Sequence, residues 1–142
     1  MMFEFEVNYW AVLVAALAQF VLGALWYSPA LFGKQWMKMI GLTEAMVKKA
    51  KAKNKGMAGQ MITGFLAAIV TAFVFAMLLP MLGATDWVTT LQAVFWLWLG
   101  FVGATSVDVV LWENRPASLW FLNNAYRFIA FYVMALVLVY WV

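Results

Sequence analysis

Four apolar runs divide the chain, at about 9–27, 58–82, 87–112 and 118–141, and the polar residues gather between them. About 20 residues at ~1.5 Å rise cross a ~30 Å hydrocarbon core, so each run is long enough to span a bilayer. Inside lipid the backbone must satisfy its own hydrogen bonds, which predicts that all four runs are helices. The first is expected to stay as a span rather than serve as a signal peptide. It is led by Glu4 and Glu6 instead of basic residues, and it is too long for a signal-peptide core. In the second run Gly64, Ala68, Ala72 and Ala76 repeat every four residues, opposite Phe65, Leu66, Ile69, Phe73 and Val74. Small residues at this spacing let helix backbones approach closely, so one face of that helix is expected to pack on another helix of this chain or of a second copy. The first run has a similar series, Ala11, Ala15, Gln19 and Gly23, and the third has Gly100, Gly103 and Ala104. Gln19 and Gln92 are isolated polar residues within helices one and three, placed either to hydrogen-bond between helices or to line a polar pathway.

Composition narrows the class. Of 142 residues, 68% are hydrophobic and 11% charged, more apolar surface than a soluble domain of this length can hide. The expected fold is all-α: a polytopic membrane protein, a bundle of four transmembrane helices with a short amphipathic cytoplasmic segment, forming one membrane domain over 1–142. The chain has no cysteine and no histidine. That removes disulfides, thiolate and imidazole metal ligands, thiol nucleophiles and the commonest general base. No metal, no cofactor and no catalytic residue is expected, and the protein is read as a non-enzyme.

The net charge of +3 matters less than its placement. Lys34, Lys38, Lys48, Lys49, Lys51, Lys53 and Lys55 lie between the first two runs, and Arg115 between the last two, whereas the other side carries Glu4, Glu6 and Asp86. The positive-inside rule then places both basic connections in the cytoplasm of the inner-membrane protein and both termini outside. Interfacial aromatics agree: Tyr9, Trp10, Trp87, Tyr140 and Trp141 at one end, Trp26, Tyr27 and Trp112 at the other. In the segment 29–57, Pro29 stops the first helix. Residues 31–41 mix Phe32, Trp36, Met37 and Ile40 with Lys34 and Lys38, as in a helix lying along headgroups. Thr43 is placed to cap a further helix that Gly56 would end. Lys48, Lys49, Lys51, Lys53 and Lys55 suit contact with anionic lipid, and no aromatic residues interleave them as nucleic-acid binding would require.

The stretch from Asp108 to Arg127 carries charge into the spans themselves. Asp108 lies about one and a half turns inside the basic end of helix three, and Arg127 about ten residues into helix four. An isolated arginine near mid-bilayer costs at least ~2.5 kcal/mol, so it should snorkel or find a partner. A short turn makes these helices antiparallel neighbours, and an Asp108–Arg127 ion pair is the expected solution. Asn123 and Asn124 lie one turn from Arg127, and Thr105 and Trp112 flank Asp108 in the same way. The cluster reads either as a clamp between helices three and four or as a polar vestibule for an ion, proton or small solute.

Two motifs have a wider likeness. GALWYSPALFGKQW, from Gly23 to Trp36, and WENRPASLWFLNNAY, from Trp112 to Tyr126, together resemble the signatures of the bacterial membrane family catalogued as domain of unknown function 1761. The matching residues are Trp26, Tyr27, Ser28, Pro29, Phe32, Gly33, Trp36, Glu113, Arg115, Asn124 and Tyr126, with Trp112 and Ala125 departing from the pattern. The resemblance implies a four-helix integral membrane protein and no particular activity. LWYSPA and LWENRPA also resemble each other, as a duplicated two-helix unit would. The leading expectation is a non-enzymatic interaction or scaffold protein that self-associates or joins a membrane complex. The rival is a small oligomeric channel or transporter using Asp108, Asn124 and Arg127. A third possibility is a membrane enzyme or lipid-binding protein built on Asp108 and Glu113.

Overall fold

The computed structural model describes residues 7–53 and 58–141, so Glu4, Glu6, Lys55 and Gly56 lie outside the described residues. Four helices in it are long and apolar enough to cross a membrane. The first, α1, spans Tyr9–Trp26 and starts on Asn8, whose side chain accepts from the Trp10 and Ala11 amides at 3.1 and 3.2 Å. It ends three residues before Pro29, so the proline prevents resumption rather than terminating the last turn. Two short helices follow, α2 over Gly33–Ile40 and α3 over Glu44–Lys53. A Schellman closure ends α2, with Gly41 at φ +77° and the Leu42 amide on Met37 O. Thr43 Oγ1 caps α3 by accepting from the Met46 amide at 3.2 Å. Lys48 and Lys49 are exposed on α3, while the side chains of Lys51 and Lys53 lie outside what is described.

The second span, α4, covers Ala58–Met81 and closes with the same device at Gly83, φ +75°, where the Ala84 amide reaches Leu79 O. Helix α5, Trp87–Trp98, begins on a reciprocal capping box between Asp86 and Thr89. It does not continue as the uninterrupted helix to Trp112 that the apolar run predicts. A π-helical turn at Leu99–Gly103 and a 3-10 turn at Thr105–Val107 intervene before the short α6, Asp108–Leu111. Asn114 then adopts φ 55°, a left-handed conformation asparagine tolerates better than most residues. The last span, α7, runs Ala117–Tyr140.

Helices α1, α4 and α7 pack on one another, and α5 rests chiefly on α7. The small residues of α4 are used within the chain. Ala68 and Ala72 are buried against Val12, Ala15 and Ala16 of α1 and Met134 of α7, with Ala76 beside them. Gly64 departs from the predicted face: it is exposed, and a Cβ there would meet no atom within 4 Å. A second cluster joins Phe75, Leu79 and Ala84 to Val94 of α5 and Ala135 of α7. Residues 58–64 are exposed on every side, so α4 stands clear of the bundle at its basic end.

Candidate functional site

The first motif folds into a knee between α1 and α2. After Trp26 the Phe32 amide returns to Trp26 O at 3.0 Å, and the Gly33 amide reaches Ser28 O at 2.8 Å. Gly33 is there because nothing larger fits. A Cβ on it would stand 2.3 Å from Tyr27 O and 2.7 Å from both Ser28 C and Ser28 O, all backbone atoms. With α2 seated, Phe32 packs on Trp26 at 4.6 Å between ring centroids and Trp36 packs edge-on to Tyr27 at 5.5 Å. Arg115 in the α6–α7 turn ties down the far end of α2, donating from Nη1 to Ile40 O at 3.2 Å.

The second motif meets the first through α7. Tyr126 is buried and its phenol donates to the backbone oxygen of Gln19 at 3.2 Å. Gly23 leaves room for this, since a Cβ there would lie 2.8 Å from Tyr126 Oη. Tyr27, the first residue beyond the span, donates from its hydroxyl to Asn123 Oδ1 at 2.7 Å and lies edge-on to Tyr126 at 5.4 Å. Burial pushes the Tyr27 phenol up to about 12, with the nearby Arg127 guanidinium working against that rise, so it remains a neutral donor. The two motifs, distant in sequence, thus form one aromatic and polar joint at the basic end.

The neighbouring residue, Asn124, turns the other way. It is buried, donates from Nδ2 to Trp120 O at 2.9 Å, and its Oδ1 lies 3.2 Å from Ser106 Oγ. Trp98 Nε1 donates to the Asn124 carbonyl at 3.0 Å. These contacts explain how a distorted helix survives in lipid. The 3-10 turn gives the Val107 amide to Ala104 O, so Gly103 O receives no helical partner from it. Trp120 Nε1 supplies one at 3.1 Å, with Ser106 Oγ at the same distance. Non-helical backbone is tolerated at membrane depth where side chains satisfy it in this way.

The expected Asp108–Arg127 ion pair does not form among the described residues. Both side chains are exposed, and Arg127 lies 5.6 Å from the Tyr126 ring. The ion pair was inferred from straight α-helical spacing. The π turn and the 3-10 turn alter the rotation per residue before Asp108, so straight-helix spacing no longer predicts its direction. Thr105 likewise serves its own helix, donating to Phe101 O at 2.9 Å. Neither Asn123 nor Asn124 hydrogen-bonds Arg127 among the described residues: Asn123 is held by Tyr27 and Asn124 by the distorted third span. Glu113 and Trp112 are exposed in the turn.

Sequence reasoning missed Ser106, Trp98 and Trp120. The signals were a pair of glycines three apart, Gly100 and Gly103, and the Trp120–Asn124 spacing of one turn. Gln19 is 8% exposed, yet its Oε1 has no hydrogen-bond partner, as is true of the buried atoms Trp26 Nε1 and Thr90 Oγ1. No group of carboxylates able to hold a metal occurs among the described residues.

Comparison with known proteins gives one family. The model described as protein of unknown function (DUF1761) matches residues 10–139. No curated protein and no solved structure matches the chain.

Proposed function

We propose, from the premise that this chain belongs to the DUF1761 family of proteins of unknown function, that it is a non-enzymatic membrane interaction protein that associates with a second copy through the flank of α5. The observation that carries this reading is the uncovered outer flank of α5. That helix rests chiefly on α7, and it turns Gln92 outward into an open groove of about 390 Å³. Leu82, Gly83, Trp96, Leu97 and Phe101 line the rest, and Trp96 and Phe101 are 66% and 75% exposed. A lone carboxamide facing acyl chains leaves its donors and acceptors unmet. Across a two-fold axis each Gln92 meets its own copy, a self-complementary pairing worth about 1 kcal/mol on top of side-chain packing. The small-residue face of α4 is already occupied by α1, so it does not compete for this role. Basic connections on the cytoplasmic side, contacting anionic lipid through Lys48, Lys49 and their neighbours, complete the reading.

The absence of cysteine makes the test simple. Trp96→Cys and Leu66→Cys, the latter on the exposed flank of α4, are treated in native membranes with a short bis-maleimide. A dimer from Trp96→Cys alone, weakened by Gln92→Leu, is the expected result. Equal cross-linking of both variants, or a strictly monomeric mass by light scattering in mild detergent, overturns it. A stoichiometric foreign subunit cross-linked at position 96 would replace self-association with the hetero-complex form of the same role.

A further inference from the structure

Arg127 is the one described cation inside a span, and its depth changes once the fold is known. Counting from Ala117 puts it roughly 15 Å along α7. However, Asn123 is bonded to Tyr27, the residue just past the end of α1, so the first turns of α7 extend beyond α1 and lie beside α2. Arg127 is therefore only about one turn, ~6 Å, inside the level at which α1 ends. A snorkelling arginine reaches the phosphate layer from there.

The guanidinium is exposed. Among the described residues no carboxylate pairs with it, and its recorded contact is the Tyr126 ring. An unneutralised cation at that depth is a standing demand for an anion. A second donor is placed next to it. Asn123 lies four residues earlier, on the same side of α7, with its Oδ1 turned toward the Tyr27 hydroxyl. That bond leaves the Asn123 amide hydrogens as donors one turn nearer the headgroups. The pair offers donors only, which suits phosphate and not a cation.

The approach is open as well. Arg127 continues the stripe of Phe131 and Met134 at helical spacing, and those residues pack against Phe75 and Ala72 of α4. About two turns beyond Ala72 toward the basic end, past the buried Ala68, α4 leaves the bundle. Residues 58–64 are exposed there, and Gly59, Gln60, Thr63 and Gly64 line an open groove of about 670 Å³. We propose that Arg127 and Asn123 form a phosphate-binding site for a phospholipid of the leaflet at the basic end, reached from the exposed side of α7 at Arg127. Arg127 supplies the charge and the forked donors, and Asn123, oriented by Tyr27, supplies the second contact.

Native mass spectrometry of the full chain, released from nanodiscs of phosphatidylcholine with an equal part of phosphatidylglycerol, tests this directly. The wild type should retain phosphatidylglycerol over phosphatidylcholine. Arg127→Gln should lower that retention roughly tenfold, as expected for losing hydrogen bonds to a charged group. Asn123→Ala should lower it less. Lys48→Gln with Lys49→Gln should leave it unchanged, because those lysines act only through the general surface potential. Because Arg127 makes no ion pair among the described residues, its replacement should not alter the circular dichroism spectrum. Inorganic phosphate added to the detergent-solubilised protein separates the sources. Failure of phosphate to displace the lipid supports a headgroup site, and Arg127-dependent displacement with no preference for phosphatidylglycerol makes the ligand a soluble phosphate. Equal retention by wild type and Arg127→Gln, or loss with the lysine pair instead, overturns the proposal.

Discussion

Replacing Gly33 by alanine adds one methyl group and should dismantle the joint at the basic end. Its φ is not in the left-handed region, so the requirement is for space alone. The new Cβ would stand 2.3 Å from Tyr27 O and 2.7 Å from Ser28 C and O. These are main-chain atoms held by the Gly33 amide on Ser28 O and the Phe32 amide on Trp26 O, so no rotamer change relieves the clash. Overpacking of this kind costs ~1–3 kcal/mol, and stretching the Gly33–Ser28 hydrogen bond adds about 1 kcal/mol. The expected loss is about 2–4 kcal/mol, read by reversible SDS titration in mixed micelles with circular dichroism. Should α2 detach while the spans stay folded, the loss appears as faster amide exchange over 33–40. The control is Gly64→Ala, where a Cβ meets nothing within 4 Å and helix propensity favours alanine by up to ~1 kcal/mol. A Gly33→Ala protein within ~0.5 kcal/mol of wild type and with unchanged exchange over α2 would refute the reasoning.

Gly23→Ala should be milder and should couple to Tyr126. Its Cβ meets the end of a side chain, Tyr126 Oη at 2.8 Å, so the ring can withdraw at the cost of its bond to Gln19 O, ~1 kcal/mol. Adding Tyr126→Phe to Gly23→Ala should then cost less than the sum of the single changes in a double-mutant cycle, and strict additivity would contradict the contact. Asp86 gives a pH test. Its carboxylate accepts from the Thr89 amide and the Thr89 hydroxyl, both at 2.8 Å, which holds its pKa below the usual carboxylate value. A depressed pKa contributes stability that is present above the unfolded value, ~3.9, and is lost as pH falls through the folded one. The melting temperature of wild type minus that of Asp86→Asn should therefore shrink as pH drops below ~4. A constant difference would show that the cap is insensitive to ionisation.

Much of the membrane architecture was legible from the residues alone. The four spans follow from a local rule, that a long apolar run in lipid must satisfy its own backbone, and their ends came out within a residue or two of Trp26, Met81 and Tyr140. Thr43 could be named as a cap from its neighbours, because capping reaches only three residues along the chain. The direction in which a side chain faces is different, since it depends on accumulated helix phase and on the tilt of a partner. A π turn and a 3-10 turn in the third span break the regular helix phase on which an Asp108–Arg127 pairing relied. Asn123 and Asn124, adjacent in sequence, differ by about 100° around α7, so one serves Tyr27 and the other Ser106. The depth of Arg127 was likewise a tertiary matter, fixed by where α1 ends beside α7 and not by counting from the turn. Sequence determined that this is a four-span membrane protein, because hydrophobic length is a property of each segment alone. Only the packed helices decided that its two motifs share one joint, that Gly64 and the flank of α5 remain open, and that the charges of Asp108 and Arg127 stand apart.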